Sequence, residues 1–366
     1  MSGVTAAVLV AGWALGWVLA GRRRTLPGAG APRCAAVSVI VPARDEATRL
    51  PHLLRALAAE PHPCEILVVD DGSCDRTADV ARSAGATVLA AERPAGWTGK
   101  AYACWTGARA ARGDVLVFLD ADVEPAAGVI PALAAAAVRS GGLVSAHPVH
   151  RVERPYEALS AGPGLVALLG AGTGGSPVGR WWRRPFAFGP ALASPAAAYR
   201  RSGGHRAVRG DVADDVALAA AADRAGVPVQ AVLGGDRLRY RMYPDGLGRL
   251  VEGWAKNLAT GGAATPPLRL AAVAAWVTAA LQAGGAPVVA AVAGGPARAA
   301  IAAYLLFALQ FHVLARRIGR FGVAASVLFP VAIGTFVALF VWSTVLTVGR
   351  RRVRWRGRAI DVRRAT

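Results

Sequence analysis

Asp114-Val115-Leu116-Val117-Phe118-Leu119-Asp120-Ala121-Asp122 is the stretch that decides the fold. Its five consecutive apolar residues are too few for a membrane span and suit a strand buried on both faces of a parallel sheet. Ligands of open α/β sheets gather at the carboxyl ends of strands. Two carboxylates one residue apart at such an end, beside a bound phosphate, suit a hard divalent cation such as Mg²⁺ or Mn²⁺. A solvated strand end carries the same pattern, so the neighbouring motifs decide between the two.

Working outward, strands and helices alternate. Strands are predicted at Val37–Val41, Glu65–Val69, Thr87–Ala91 and near Leu143–Ala146. Helices are predicted from about Glu46 to Ala59, Arg76 to Ala84 and Lys100 to Arg112, after Pro125, and at 212–225. That rhythm predicts an α/β domain, a mainly parallel sheet with helices on both faces, over residues 33–262.

The flanks are of another kind. The chain has 366 residues, 54% of them hydrophobic, and a formal charge of +19 carried by 40 Arg and only two Lys, Lys100 and Lys256. High Arg with high Ala is also what a GC-rich genome gives. Residues 4–20 are uncharged and followed at once by Arg22-Arg23-Arg24. A signal peptide carries its charge before the apolar core, so residues 1–24 are expected to form an uncleaved membrane anchor. By the positive-inside rule the following domain then faces the cytoplasm of a multi-pass cell-membrane protein. Residues 268–292, 299–315 and 323–348 give about three further spans within 267–349, with kinks expected at Gly284-Gly285-Ala286-Pro287 and at Pro330. Gln282, Gln310 and His312 are the polar intruders, expected to hydrogen-bond between helices. Residues 350–366 form a basic tail. Three spans would leave that tail outside, where so much Arg does not belong; a re-entrant segment, a hairpin or an exception to the rule each resolves this. The Arg clusters border apolar runs and no nucleic-acid motif is present, so anionic lipid rather than nucleic acid is the expected partner. Arg180-Trp181-Trp182-Arg183-Arg184 has the composition of an interfacial belt. Cys34, Cys64, Cys74 and Cys104 show no metal-site spacing and are expected to be free thiols.

Four acidic or glycine-bearing turns follow the predicted strands. Pro42-Ala43-Arg44-Asp45-Glu46 ends the first. Asp70-Asp71-Gly72-Ser73-Cys74-Asp75-Arg76-Thr77 ends the second, where a carboxylate can accept from a nucleobase edge or ribose, and Asp75 or Thr77 can cap the next helix. Gly96-Trp97-Thr98-Gly99-Lys100 opens a helix, offering backbone N–H groups and a point charge to an anion; it is not a P-loop. Asp211-Val212-Ala213-Asp214-Asp215 precedes the last helix. Paired carboxylates there are favoured by the helix dipole alone, or one is a general base tuned by its neighbour and a metal.

Together, Ile40–Glu46, Val68–Ser73, Asp120-Ala121-Asp122 and Asp214-Asp215 resemble, in order and spacing, the successive motifs of family 2 glycosyltransferases with the GT-A fold. Gly96–Lys100, His150 with Tyr156–Ser160, Tyr243-Pro244 with Glu252–Asn257, and Trp355–Arg358 are similar to the membrane-bound branch that includes diaponeurosporenoate (carotenoid acid) glycosyltransferases and hopanoid-associated relatives. The resemblance implies inverting transfer from a nucleotide donor, a UDP-sugar such as UDP-glucose, to a hydrophobic lipid acceptor, a carotenoid acid or other terpenoid being favoured. It implies that Asp71 contacts the base, Pro42, Ala43 and Glu46 line the nucleotide pocket, and Lys100 lies near the nucleotide. Asp120 would lie near ribose and metal, Asp122 on the metal, and Asp215, with Asp214 beside it, would be the base. Asp45 stands where the family commonly has Asn, and Asp214 where it commonly has Glu. The Gln/Arg-x-x-Arg-Trp motif of processive relatives is absent apart from Trp254. A polyprenyl-phosphate sugar synthase, or a non-catalytic membrane protein of the same fold, are the alternative readings.

Overall fold

The computed structural model describes residues 3–22, 24–28, 36–60, 65–171, 184–295, 297–350, 352–355 and 358–361, with side chains described up to residue 347. Its strands are β1 (Val37–Ala43), β2 (Glu65–Asp70), β3 (Thr87–Ala90), β4 (Val115–Leu119), β5 (Val123–Pro125), β6 (Leu143–His147), β7 (Val149–His150), β8 (Ala191–Pro195), β9 (Val229–Leu233) and β10 (Leu238–Tyr240), followed by a two-stranded pairing of Arg352–Trp355 with Arg358–Asp361. The chain divides into two compact units. Among the described residues, one comprises those within 24–149 and 185–241; the other comprises those within 3–22, 150–184 and 242–361.

The first unit is the α/β layer. Among the described residues its main sheet has seven strands in the order β3-β2-β1-β4-β8-β6-β9. All neighbours are parallel except β8, which runs against both β4 and β6. β4 is buried at every residue, from Val115 to Leu119, as its unbroken apolar run requires. The chain leaves β1 toward β2 and β3, then returns to place β4 on the other side of β1. Strand order therefore reverses at β1/β4, the crevice where open sheets bind ligands.

β8 is not among the predicted strands. Ala191-Leu192-Ala193-Ser194-Pro195 is short, Ala-rich and ends on Pro, and its place in the sheet is fixed by tertiary pairing rather than by propensity. Because it is antiparallel, its first residue lies opposite the last residue of β4: Ala191 pairs with Leu119, and the Asp120 N–H donates to the Pro190 carbonyl at 3.0 Å. β5 pairs antiparallel with β10, Val123 opposite Tyr240. The turn holding Asp120 and Asp122 is thus fixed from two sides.

The second unit is helical. Among the described residues, four helices are long and apolar enough to cross a membrane: Gly3–Ala20, Pro267–Val292, Ala297–Ala315 and Phe329–Thr347. Pro287 lies inside its helix, as expected. Pro330 lies just past a break in the third run. The expected run 323–348 breaks at Leu328 into Gly322–Val327 and a helix starting at Phe329, with Pro330 in the first turn of the second. A missing N–H costs nothing there, because the first turn's donors have no helical partner.

Arg269 is 2% exposed and donates from Nε to the Leu169 carbonyl (2.7 Å) and from Nη2 to the Leu19 carbonyl (2.8 Å). The two acceptors belong to the helices Ala161–Ala171 and Gly3–Ala20. Gln310 bridges helices as expected, accepting from Trp276 Nε1 (2.9 Å) and donating to the Trp13 carbonyl (2.6 Å). The distal motifs meet in this unit too. The Tyr156 hydroxyl donates to the Tyr243 carbonyl (2.9 Å), and Trp254 Nε1 donates to Ser160 Oγ (3.1 Å). Trp181 and Trp182 lie outside the described residues, as do Cys34 and Cys64; Cys74 and Cys104 are free thiols.

Candidate active site

Three loops at the carboxyl ends of β1, β2 and β4 build one side of the site. Pro42 and Ala43 end β1, opposite Val69 and Asp70 of β2. The Ala43 carbonyl accepts from the Asp71 N–H (2.9 Å), so this residue holds Asp71 through its backbone. Asp45 has φ of 51°, the left-handed region that Asn and Asp tolerate. Its Oδ1 accepts from the Cys74 N–H (2.8 Å), which an Asn carbonyl would do equally well. Asp therefore replaces the common Asn at no geometric cost. The loop after β2 is tied down by Asp70, which accepts from the Ser73 N–H and hydroxyl at 2.9 and 2.5 Å. Asp75 accepts from Thr77 and from the Ala47 N–H (3.1 Å). Its burial works the other way, yet these hydrogen bonds, Thr77's first, hold its carboxyl below the usual range.

Lys100 sits in the first turn of the helix Gly99–Ala110, whose cap Thr98 accepts from the Ala101 N–H (3.4 Å). Its Nζ is 2.6 Å from Asp120 Oδ1. Burial alone would lower the ammonium's pKa, but Asp120 and then Asp214 outweigh it and the net shift is upward. Asp71 lies against the backbone of the same turn: a Cβ on Gly99 would run into its carboxylate. Asp71, Lys100 and Asp120 are therefore neighbours.

Asp122 is the most perturbed carboxylate. Burial first, then the charges of Asp120 and Glu46, push it up to about 7, opposed only in part by Arg49 and Lys100. Glu46 is 7% exposed and paired with Arg49 at 3.2 Å. This surplus of negative charge around Asp120 and Asp122 fits a cation. Among the described residues no three His, Cys, Asp or Glu side chains form a metal cage. The side chains present suit an ion held by one or two carboxylates and otherwise by phosphate and water, which is the habit of Mg²⁺.

The other side of the site is the helix Asp214–Arg224. Its two leading carboxylates point apart. A Cβ on Gly189 would lie 3.0 Å from Asp215 Oδ2 and 3.2 Å from Lys100 Nζ, so Asp215 and Lys100 flank one bare backbone position. Asp214 is 8% exposed and faces inward, its Oδ2 4.0 Å from His205 Nε2. Of the expected site residues, Asp71, Lys100, Asp120 and Asp215 are linked through Gly99, Gly189 and the Lys100–Asp120 pair, the charges of Asp120 and Glu46 bear on Asp122, and Asp214, whose charge reaches Lys100, lies against His205.

Arg44, Arg49, Gly189 and His205 were not singled out by sequence reasoning. Arg44 Nη1 is 3.8 Å from Asp71 Oδ2. The Gly189-Pro190 pair was a turn signal, but its position beside Asp120 depends on the direction of β8. Nothing local marked His205 beyond two glycines before it.

This arrangement can hold a diphosphate between a cation site and a lysine, with the Asp215 carboxylate beside that lysine able to take a proton. The comparisons agree in kind. The family model described as Glycosyl transferase family 2 matches residues 38–213. A 4,4'-diaponeurosporenoate glycosyltransferase of Staphylococcus aureus (strain USA300) is 31% identical over 341 residues, covering 89% of this chain and 88% of that protein. The protein of the same name from strain MRSA252 is also 31% identical over 341 residues, with the same shares covered. A mannosyltransferase from Pyrobaculum calidifontis, solved in complex with GDP-Man and Mn2+, is 22% identical with a TM-score of 0.55, over 94% of this chain and 95% of that one; it shares the GT-A fold. The chain is a glycosyltransferase and belongs to glycosyl transferase family 2.

Proposed function

We propose that this protein is an inverting, metal-dependent glycosyltransferase that moves a sugar from a UDP-sugar to a membrane lipid, a carotenoid acid or related terpenoid. One observation carries the proposal: Asp71, Lys100, Asp120 and Asp215 are linked through contacts at Gly99 and Gly189 and the Lys100–Asp120 pair. The lipid acceptor is supported by the four long apolar helices and by the name of the Staphylococcus relative. Residues 33–262 carry the chemistry, and the domain faces the cytoplasm, where nucleotide sugars are made.

In this reading Asp71 accepts from the base, held by the Ala43 carbonyl and by Arg44. Pro42, Ala43 and Glu46 line the nucleotide pocket. Asp122 and Asp120 would hold Mg²⁺ or Mn²⁺, which when bound offsets charge on the departing diphosphate. Lys100, kept charged by Asp120, adds a fixed positive charge beside the same leaving group. Asp215 takes the proton from the acceptor oxygen as it reaches the anomeric carbon from the face opposite the diphosphate. A hydroxyl acceptor needs that base; a carboxylic acid is already ionised and needs it less.

The test is incubation of purified protein with UDP-glucose, other UDP-sugars and GDP-mannose, a lipid extract containing carotenoid acids and polyprenyl phosphates, and Mn²⁺ or EDTA. Mass spectrometry of the lipid product is expected to show a hexosyl terpenoid, formed from a UDP-sugar and abolished by EDTA. A hexosyl polyprenyl phosphate as the sole product would replace the acceptor assignment.

A further inference from the structure

Asp214 and Asp215 are adjacent carboxylates in the first turn of one helix: Asp215 lies against Gly189 beside Lys100, and Asp214, whose charge also acts on Lys100, lies against His205. Asp214 is turned into the core of the α/β unit, where a charge needs compensation. The group it meets is a buried hydrogen-bonded pair. His205 is 1% exposed and Tyr199 3%. The His205 backbone N–H donates to the Tyr199 hydroxyl (2.9 Å), and the same hydroxyl has a proton to give His205 Nδ1, 2.8 Å away. In a neutral ring the remaining proton is then on Nε2, the nitrogen 4.0 Å from Asp214 Oδ2.

Burial first, then the Lys100 charge, keep His205 neutral despite Asp214, lowering it to about 4. The contact is therefore a dipole on a carboxylate, not an ion pair. The seat is specific: the Phe118 ring of β4 packs against both Tyr199 and His205, with centroids 5.3 and 5.0 Å away, and a Cβ on Gly204 would collide with the Tyr199 ring.

We infer that His205 is a positioning residue for the transfer step: fixed by Tyr199, it directs Nε2–H at Asp214 and thereby sets the first helical turn that aims Asp215 at the acceptor. This rests on Asp215 being the base. The tyrosine and histidine touch no substrate; they act through Asp214 on the carboxylate beside it.

The experiment compares His205→Leu, His205→Gln, Tyr199→Phe and Asp215→Asn, with the His205→Leu/Asp215→Asn double variant. Each uses the full-length protein, and turnover is normalised to the number of sites that bind UDP with Mn²⁺ by calorimetry. For a hydroxyl acceptor we expect His205→Leu to lower kcat per site about tenfold or more with donor KM within about twofold, and Tyr199→Phe to lower it several-fold. His205→Gln, which restores an N–H near the Nε2 position, should recover most of the loss. The loss should be smaller with a carboxylic acid acceptor, and the double variant no slower than Asp215→Asn alone, because residues acting as a unit are not additive.

A generally loosened fold would give equal losses for both acceptors and additive effects in the double variant, and either result overturns the inference. Unchanged kcat in Asp215→Asn would instead remove the base assignment on which it stands. If His205→Leu binds no UDP, Tyr199→Phe decides: wild-type turnover there overturns the proposal.

Discussion

Gly189 is a tight position between two charged groups of the site. A methyl group would sit 3.0 Å from the Asp215 carboxylate and 3.2 Å from the Lys100 ammonium. Gly189→Ala is therefore expected to lower kcat about tenfold or more with the melting temperature little changed, checked by steady-state kinetics and thermal unfolding in detergent. Lys100→Met removes the partner of Asp120. Charge-assisted hydrogen bonds are worth roughly 1.5–3 kcal/mol, and the pair is about one-third exposed, so the lower end applies. Donor KM should rise about tenfold, measured with the productive UDP-sugar. His205 also makes the fold acid-sensitive. Folded, it stays neutral to about 4, whereas the unfolded chain takes up the proton near 6.5. Stability present above pH 6.5 is lost as pH falls toward 4. The wild-type melting temperature should drop between pH 7 and pH 5 by more than that of His205→Gln.

At the scale of elements, Pro330 makes the clearest case. In the first turn of its helix it breaks no hydrogen bond, so Pro330→Ala should change the melting temperature by no more than a degree or two; a kinking proline would have given a larger shift. The same contrast shows what the sequence makes legible. β4 was readable because an all-buried strand must be apolar at every position. The loops after β1, β2 and β4 were readable because strand ends collect chemistry. β8 was not, since five residues of low β-propensity are held by their neighbours on both sides. With β8 unseen, Gly189 could not be placed, and neither could the separation of Asp214 from Asp215. Burial, not residue type, divides those two: the same side chain is inward at one position and faces the lysine at the next.

For the whole molecule, the division into an α/β unit and a helical unit does not follow chain order. Residues 150–171, which interrupt the α/β sequence, belong with the apolar helices. Arg269 is central to that second unit. Arg269→Met would leave the Leu169 and Leu19 carbonyls without their donor, a loss of about 2 kcal/mol, seen as a lower melting temperature in detergent. Arg269→Lys should recover only part, because a single ammonium does not match the guanidinium fork. The same guanidinium ends on Leu19, and the Gln310 amide ends on Trp13, both within the helix Gly3–Ala20. That first helix is therefore a wall of the building rather than a leash. Trimming it away to obtain a water-soluble enzyme would strip two later helices of the acceptors they were built around, and a workable truncation has to keep it.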